Sequence, residues 1–370
     1  MTRIAILSVS AGAGHVRAAE ALQRAAEARG HEAIHLDVME LVPRLFRTLY
    51  AESYLSVVER HPALWGYLYH SSDRSKRDST TNRLRRGIEA LNTRAFRKAI
   101  TDLAPDVVIC THFLPAQLLS KMTATGAFSK PAWVVVTDFD VHMLWSHPHL
   151  TGYCVAADEI AWRIRERGIG AAQVAVTGIP IVPAFANIPD RRVCAKELGL
   201  DPQRTTLLMM SGGYGVGAID QLAERVLSIP GDFQLIALAG RNADLLAKLR
   251  ALAARHPGRL LPLGFTTTVE RVMACADLAI SKPGGLTTSE CLAMGLPMLV
   301  ISPIPGQEER NSDYLLEHGA GLKAHDAAGL EYRVRRVLQE PHLLAAMRLA
   351  AQRIAKPQAA AQILDRVLTP

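Results

Sequence analysis

Ser281 to Asn311, reading SKPGGLTTSECLAMGLPMLVISPIPGQEERN, constrains the fold more tightly than any other stretch of the 370-residue chain. The apolar run Leu278 to Ile280 leads into it, Pro283-Gly284-Gly285 turns the chain, and a helix is expected to open at Leu286. Thr287, Thr288 and Ser289 are its cap candidates, because their side-chain oxygens can accept from the first unpaired amides. A second apolar strand, Pro297 to Ile301, then delivers PGQEERN. Strand, glycine turn, helix and strand in this order are the unit of a parallel α/β sheet.

The same residues suggest a ligand. Glycines at the turn let backbone amides approach closely, and the positive end of the helix dipole favours an anion such as a diphosphate. Glu290, about one turn into the helix, is a carboxylate suited to the vicinal diol of a ribose, and Gln307 and Glu308 can present polar oxygens to a sugar. Phosphate, ribose and sugar contacts in that order describe a nucleotide-sugar site. The stretch resembles the donor signature of the inverting nucleotide-sugar glycosyltransferases of the two-domain type shared by the muramyl-peptide N-acetylglucosaminyltransferase and the monogalactosyldiacylglycerol synthases. PGQEERN is closest to the diacylglycerol glycosyltransferase branch. A glycine turn alone is common to many phosphate sites; Gly284-Gly285, Glu290 and Gln307-Glu308 at this spacing are far more specific.

Strand and helix alternate through most of the chain. Ile4 to Val9, Glu32 to Asp37, Pro105 to Cys110, Ala132 to Thr137, Tyr153 to Ala156 and Val174 to Val176 read as short strands buried on both faces. Proline-rich GIPIVPAF, Gly178 to Phe185, interrupts the alternation, and Leu207 to Met210, Phe233 to Ala239, Leu260 to Leu263 and Leu278 to Ile280 resume it. Two α/β domains are therefore expected: residues 1–180 on the acceptor and membrane side, and residues 181–345 binding the donor. The resemblance implies that both are doubly wound and Rossmann-like, facing across a cleft in the GT-B architecture. It also implies a C-terminal helix, within 346–370, packing back on the first domain.

Four further clusters carry polar chemistry. SAGAGH, Ser10 to His15, is a glycine turn after the first strand that departs from the dinucleotide fingerprint, with Ala13 and Val16 between its glycines and the helix. Gly12, Gly14 and His15 match the N-terminal Gly-x-Gly-His turn of the diacylglycerol glycosyltransferases, which makes His15 the candidate base for the acceptor hydroxyl. Thr137-Asp138-Phe139 and the following VHMLWSHPH resemble the acceptor-side loop of that branch, with Asp138 a second candidate base or an orienter of His15, and His142, Trp145 and His147 near the acceptor. The histidines invite a metal reading, yet the spacing of His142 and His147 fits no zinc-protease pattern, and no metal ligands are expected. SGGYGVGAI brings Gly212 and Gly213 to a possible diphosphate contact, or simply a tight turn. Arg241, after Gly240, can offset charge on a departing diphosphate, and Phe265 matches the place where the family holds the uracil ring.

Composition bounds the rest. The chain is 49% hydrophobic and 21% charged, and its five cysteines are scattered without metal-like spacing, as expected of reduced buried thiols in a cytoplasmic protein. MTRIAILSVS reads as a strand rather than a signal segment, and no apolar run reaches the roughly 18 residues needed to span a bilayer. The net charge is +7. Between Arg44 and Ile100 stand 12 Lys/Arg against 5 Asp/Glu, so this segment holds the whole excess, beside Phe46, Tyr50, Tyr54, Trp65, Tyr67, Tyr69 and Phe96. That mixture suits an anionic membrane surface, and equally an ordinary solvated helical face over core aromatics. Nucleic acid is not an expected partner.

The resulting expectation is a UDP-sugar-dependent hexosyltransferase acting on diacylglycerol, peripheral at the inner face of the cell membrane, with the UDP-hexose as co-substrate and no required cofactor. Its rivals are a UDP-sugar 2-epimerase of the same architecture and a non-catalytic nucleotide-sugar sensor.

Overall fold

A computed structural model describes residues 1–10, 12–41, 94–210 and 218–369. These divide into two compact units. One comprises Met1–Pro183 with Ile304–Gln307 and Pro357–Pro370, the other Ala184–Pro303 with Glu308–Lys356. The division after Pro183 falls inside the proline-rich segment that the sequence singles out. The return to the first unit comes at Pro357, later than the expected 346, because helix Pro341–Ile354 stays with the second unit.

The first unit is built on a six-stranded sheet of β1 (Arg3–Ser8), β2 (Glu32–Asp37), β3 (Val107–Cys110), β4 (Ala132–Val135), β5 (Gly152–Val155) and β6 (Val174–Val176). Its order is β2-β1-β3-β4-β5-β6 and every pairing is parallel. The inner strands VVIC and AWVV are buried throughout, as β-branched runs covered on both faces should be. The helices are α1 (Ala13–Ala28), α2 (Phe113–Ala124) and α3 (Asp158–Glu166), with residues 94–103 also helical. Phe96 lies in the core at 0% exposure; the other six aromatics of the basic segment lie outside the described residues.

The second unit adds α4 (Arg191–Leu198), β7 (Thr205–Met210), α5 (Ile219–Leu227), β8 (Phe233–Leu238), α6 (Ala243–Arg255), β9 (Leu260–Leu263), α7 (Val269–Ala274), β10 (Leu278–Ser281), α8 (Gly285–Ala293), β11 (Met298–Ile301), α9 (Gln307–Glu317), β12 (Gly321–Ala324), α10 (Ala327–Gln339) and α11 (Pro341–Ile354). The parallel order β12-β11-β10-β7-β8-β9 reverses direction between β7 and β10. In an open α/β sheet such a reversal leaves a crevice at the carboxyl ends of the strands, where ligands bind. The first sheet reverses between β1 and β3.

Helix α12 (Ala359–Leu368) closes the chain on the first unit. Ala360, Ile363, Leu364 and Val367 recur at helical spacing and join Ile4, Ile6, Leu22 and Ile109 in one apolar core. Ile363 and Leu364 are fully buried, each contributing about 1.5–3 kcal/mol. Arg29 on α1 pairs with Asp365 at 2.7 Å, at a partly exposed position worth little beside that burial.

Candidate functional site

In the first unit the site forms at the carboxyl ends of β1, β3 and β4. Gly12, at φ 131°, occupies backbone space that other residues rarely adopt and is the N-cap of α1. The helix begins at Ala13, so Gly14 and His15 belong to its first turn rather than to the loop before it. Two threonines hold the His15 ring. Its Nδ1 lies 2.8 Å from the Thr111 carbonyl at the end of β3 and 3.0 Å from Thr137 Oγ1 beyond β4. A carbonyl only accepts, so the proton sits on Nδ1 and Nε2 keeps a lone pair. Thr111 Oγ1 also donates to the His15 backbone carbonyl at 2.9 Å, which ties the helix start to the strand end twice.

His15 keeps some exposed surface, yet its ring is packed closely by protein, and that enclosure pushes its pKa down from 6.5 to about 4. The ring meets His112 edge to face at 4.6 Å between centroids and Trp145 at 6.1 Å. His112 is 3% exposed, and its Nδ1 accepts from Leu114 N at 3.1 Å as the N-cap of α2. Burial first, and the neighbouring His15 second, hold His112 well below the ordinary histidine range. Neither Thr111 nor His112 stands out in the sequence. The only signal for them is a polar Thr-His pair directly after a buried strand, in the position where open sheets place ligand contacts.

The remaining acceptor-side residues divide. Asp138 is half-buried just past β4, and Thr111 and Thr137 contact the His15 ring. Trp145 is buried against the two histidines. His142 is buried and caps the short turn Met143–Trp145 through Nδ1, which accepts from Leu144 N at 3.2 Å. His147 is buried too, with its backbone amide and carbonyl both bonded to the Tyr153 hydroxyl at 2.8 Å. The described residues contain no cluster of three or more His, Cys, Asp or Glu side chains able to share a metal ion. All five cysteines are buried free thiols.

In the second unit the corresponding place is the end of β10. Ser281 Oγ donates to the Met210 carbonyl at 3.4 Å, linking the ends of β10 and β7 at the reversal. Helix α8 starts one residue earlier than expected. Gly284 is its N-cap, and no side chain caps it. The three cap candidates do other things: Ser289 Oγ donates back to the Gly285 carbonyl at 2.9 Å, Thr288 is fully buried, and Thr287 is half-buried. The first amides of α8 are thus left without a side-chain acceptor, as an anion-binding helix start requires.

Leu286 is buried beneath that turn, and Glu290, 2% exposed, lies on the same helix. Gln307 and Glu308 open α9. Glu308 Oε1 lies 3.9 Å from where a Cβ on Gly284 would stand, so the two halves of the signature meet. Gly285 is buried at the helix start. Asn311 Nδ2 donates to the Pro283 carbonyl at 2.9 Å and fixes α9 against the turn. The Arg241 guanidinium stacks over the Phe265 ring at 4.4 Å, although Phe265 is 53% exposed. Phe265 lines a pocket with Gly264, Thr266, Thr268 and Arg271. Gly212 and Gly213 lie outside the described residues.

Comparison with known proteins follows this division. Residues 15–181 match the monogalactosyldiacylglycerol (MGDG) synthase family model, and residues 216–365 match the glycosyltransferase family 28 C-terminal domain. The chain is 28% identical over 354 residues to the processive diacylglycerol beta-glucosyltransferase of Bacillus pumilus, covering 94% of this chain and 89% of that protein. Among solved structures it resembles Acinetobacter baumannii MurG, with a TM-score of 0.66 at 15% identity over 99% of both chains. It also resembles the UDP-GlcNAc 2-epimerase of Neisseria meningitidis bound to UDP-GlcNAc, with a TM-score of 0.64 at 11% identity over 100% of both chains. With residues 15–181 similar to the monogalactosyldiacylglycerol synthase family and residues 216–365 similar to the family 28 C-terminal domain, each on its own parallel sheet, the chain has the two-domain GT-B fold.

Proposed function

We propose that this protein transfers a hexose from a UDP-sugar to diacylglycerol at a membrane surface, with inversion at the anomeric carbon, to make a glycolipid. The observation that carries this reading is the His15 ring, whose proton is held on Nδ1 so that Nε2 is a base already in its reactive form. A sensor of nucleotide sugars has no use for such a group. The likeness to the Bacillus pumilus enzyme supports diacylglycerol as the acceptor, since it runs through 94% of the chain.

In the reaction the acceptor oxygen attacks the anomeric carbon while its proton passes to His15 Nε2. The bond from that carbon to the diphosphate breaks, and UDP departs. The uncapped amides of α8 offset the charge that builds on the leaving group, a task a divalent ion performs elsewhere, and this reading includes no metal cofactor. Glu290 holds the ribose, Gln307 and Glu308 hold the sugar, and Phe265 with Arg241 bounds the uracil place. The protein works as a peripheral enzyme at the inner face of the cell membrane, held by the basic segment between Arg44 and Ile100. No helix among the described residues is long and apolar enough to cross a membrane.

Incubating purified protein with diacylglycerol vesicles and a panel of UDP-hexoses, with products read by mass spectrometry, tests this directly. A hexosyl-diacylglycerol is expected. An epimerised sugar nucleotide formed without lipid would assign the chain to the epimerase reading instead.

A further inference from the structure

His112 is buried almost completely, yet it does only half of what an imidazole can do. Its Nδ1 accepts the Leu114 amide, so the neutral ring carries its proton on Nε2. No described residue bonds that Nε2–H. Thr111 fixes His15 in the opposite tautomer, with its proton on Nδ1 and an Nε2 that no described residue bonds. The backbone therefore sets two adjacent imidazoles in complementary states: one offers an N–H, the other a lone pair. Their centroids are 4.6 Å apart in an edge-to-face contact, which sets the two rings side by side at the strand ends.

We infer that His112 is a second catalytic imidazole of the transfer site, donating from Nε2–H to the acceptor oxygen while His15 removes that oxygen's proton. This rests on the transfer reading given above. The donor fixes the direction of the oxygen's lone pairs and stabilises the negative charge that grows on it as the proton leaves. His112 keeps its own proton throughout, so the balance of the reaction is unchanged. Burial favours this state, since it keeps His112 neutral with Nδ1 available to the helix cap.

The variant His112→Asn isolates the role, because asparagine is among the best N-cap residues and preserves the acceptor for the Leu114 amide while removing the Nε2–H. We expect kcat for transfer to fall roughly 10- to 100-fold with UDP affinity and melting temperature unchanged. Active wild type and an equally active His112→Asn would reduce His112 to a helix cap and overturn the inference. Inactive wild type would remove the transfer reading itself, a separable failure. Nitrogen-15 NMR of histidine-labelled protein gives a readout independent of activity: His112 should show the Nε2–H tautomer and His15 the Nδ1–H tautomer. A protonated Nδ1 on His112 would overturn the inference whatever the rates.

Discussion

Asn311 reaches back 28 residues to donate its side-chain amide to the Pro283 carbonyl at 2.9 Å. Asn311 is fully buried on α9, and Pro283 belongs to the turn that starts α8, so this bond fixes the start of α8 against α9. Replacing it with alanine leaves the carbonyl unpaired. Asn311→Ala should therefore lower stability by about 1–3 kcal/mol, seen as a lower urea midpoint, and weaken UDP-sugar binding measured by calorimetry. Wild-type affinity in a destabilised variant would confine the bond to folding.

In the proposed reaction Glu290 holds the ribose and the Gln307-Glu308 pair holds the sugar. Glu290→Ala should weaken UDP binding by about 1.5–3 kcal/mol, the size of a hydrogen bond to a charged group. Gln307→Ala and Glu308→Ala should instead weaken the sugar nucleotide more than UDP alone. Titration of both ligands into each variant separates these outcomes, and equal losses for the two ligands would contradict the assignment.

The donor signature was legible because each of its residues has a narrow chemical use: two glycines at a turn, one carboxylate a helical turn later, and a Gln-Glu pair after the next strand. The sheets were legible for a related reason, since strands such as VVIC and AWVV are apolar on both faces. Strand β12 lacks that signal, because GLKA holds a glycine and a lysine and lies at the sheet edge beside β11. The first-unit site was half legible. His15 follows a glycine turn, but the groups that fix its tautomer, the Thr111 carbonyl and Thr137 hydroxyl, lie 96 and 122 residues away. A backbone carbonyl has no sequence signature, and His112 reads as an ordinary polar residue after a strand until the fold sets it beside His15.

The His15 assignment has a kinetic consequence. His15→Ala should reduce turnover by roughly 10²-fold or more with UDP affinity little changed. A base must be neutral to act, and enclosure lowers the pKa of His15 to about 4. The acid limb of kcat/KM should accordingly fall near pH 4 rather than near 6.5, with activity rising as pH increases through that value. A limb at 6.5 would mean a solvated histidine. Activity should survive EDTA, and loss restored by a divalent ion would revive a metal-dependent mechanism.

The membrane prediction rests on charge alone. The segment between Arg44 and Ile100 holds all the net positive charge of the chain. Reversing Arg83, Arg85 and Arg86 to glutamate should reduce sedimentation with anionic vesicles and activity on bilayer-embedded acceptor, leaving UDP binding intact. Wild-type binding should weaken as salt rises, because exposed charges are screened over about 8–10 Å at physiological ionic strength. Equal binding to neutral and anionic vesicles would return the segment to an ordinary solvated face.

The central claim is that His15 serves glycosyl transfer from a nucleotide to a lipid. The most direct measurement follows isotopically labelled hexose from UDP-hexose into the lipid phase of diacylglycerol vesicles, comparing wild type with a folded His15→Ala variant. Wild-type protein should place label in a hexosyl-diacylglycerol of inverted anomeric configuration, and in the variant that label should appear at least 10²-fold more slowly. Label that stays in the aqueous phase with wild-type protein, or enters the lipid equally fast without His15, would contradict that claim.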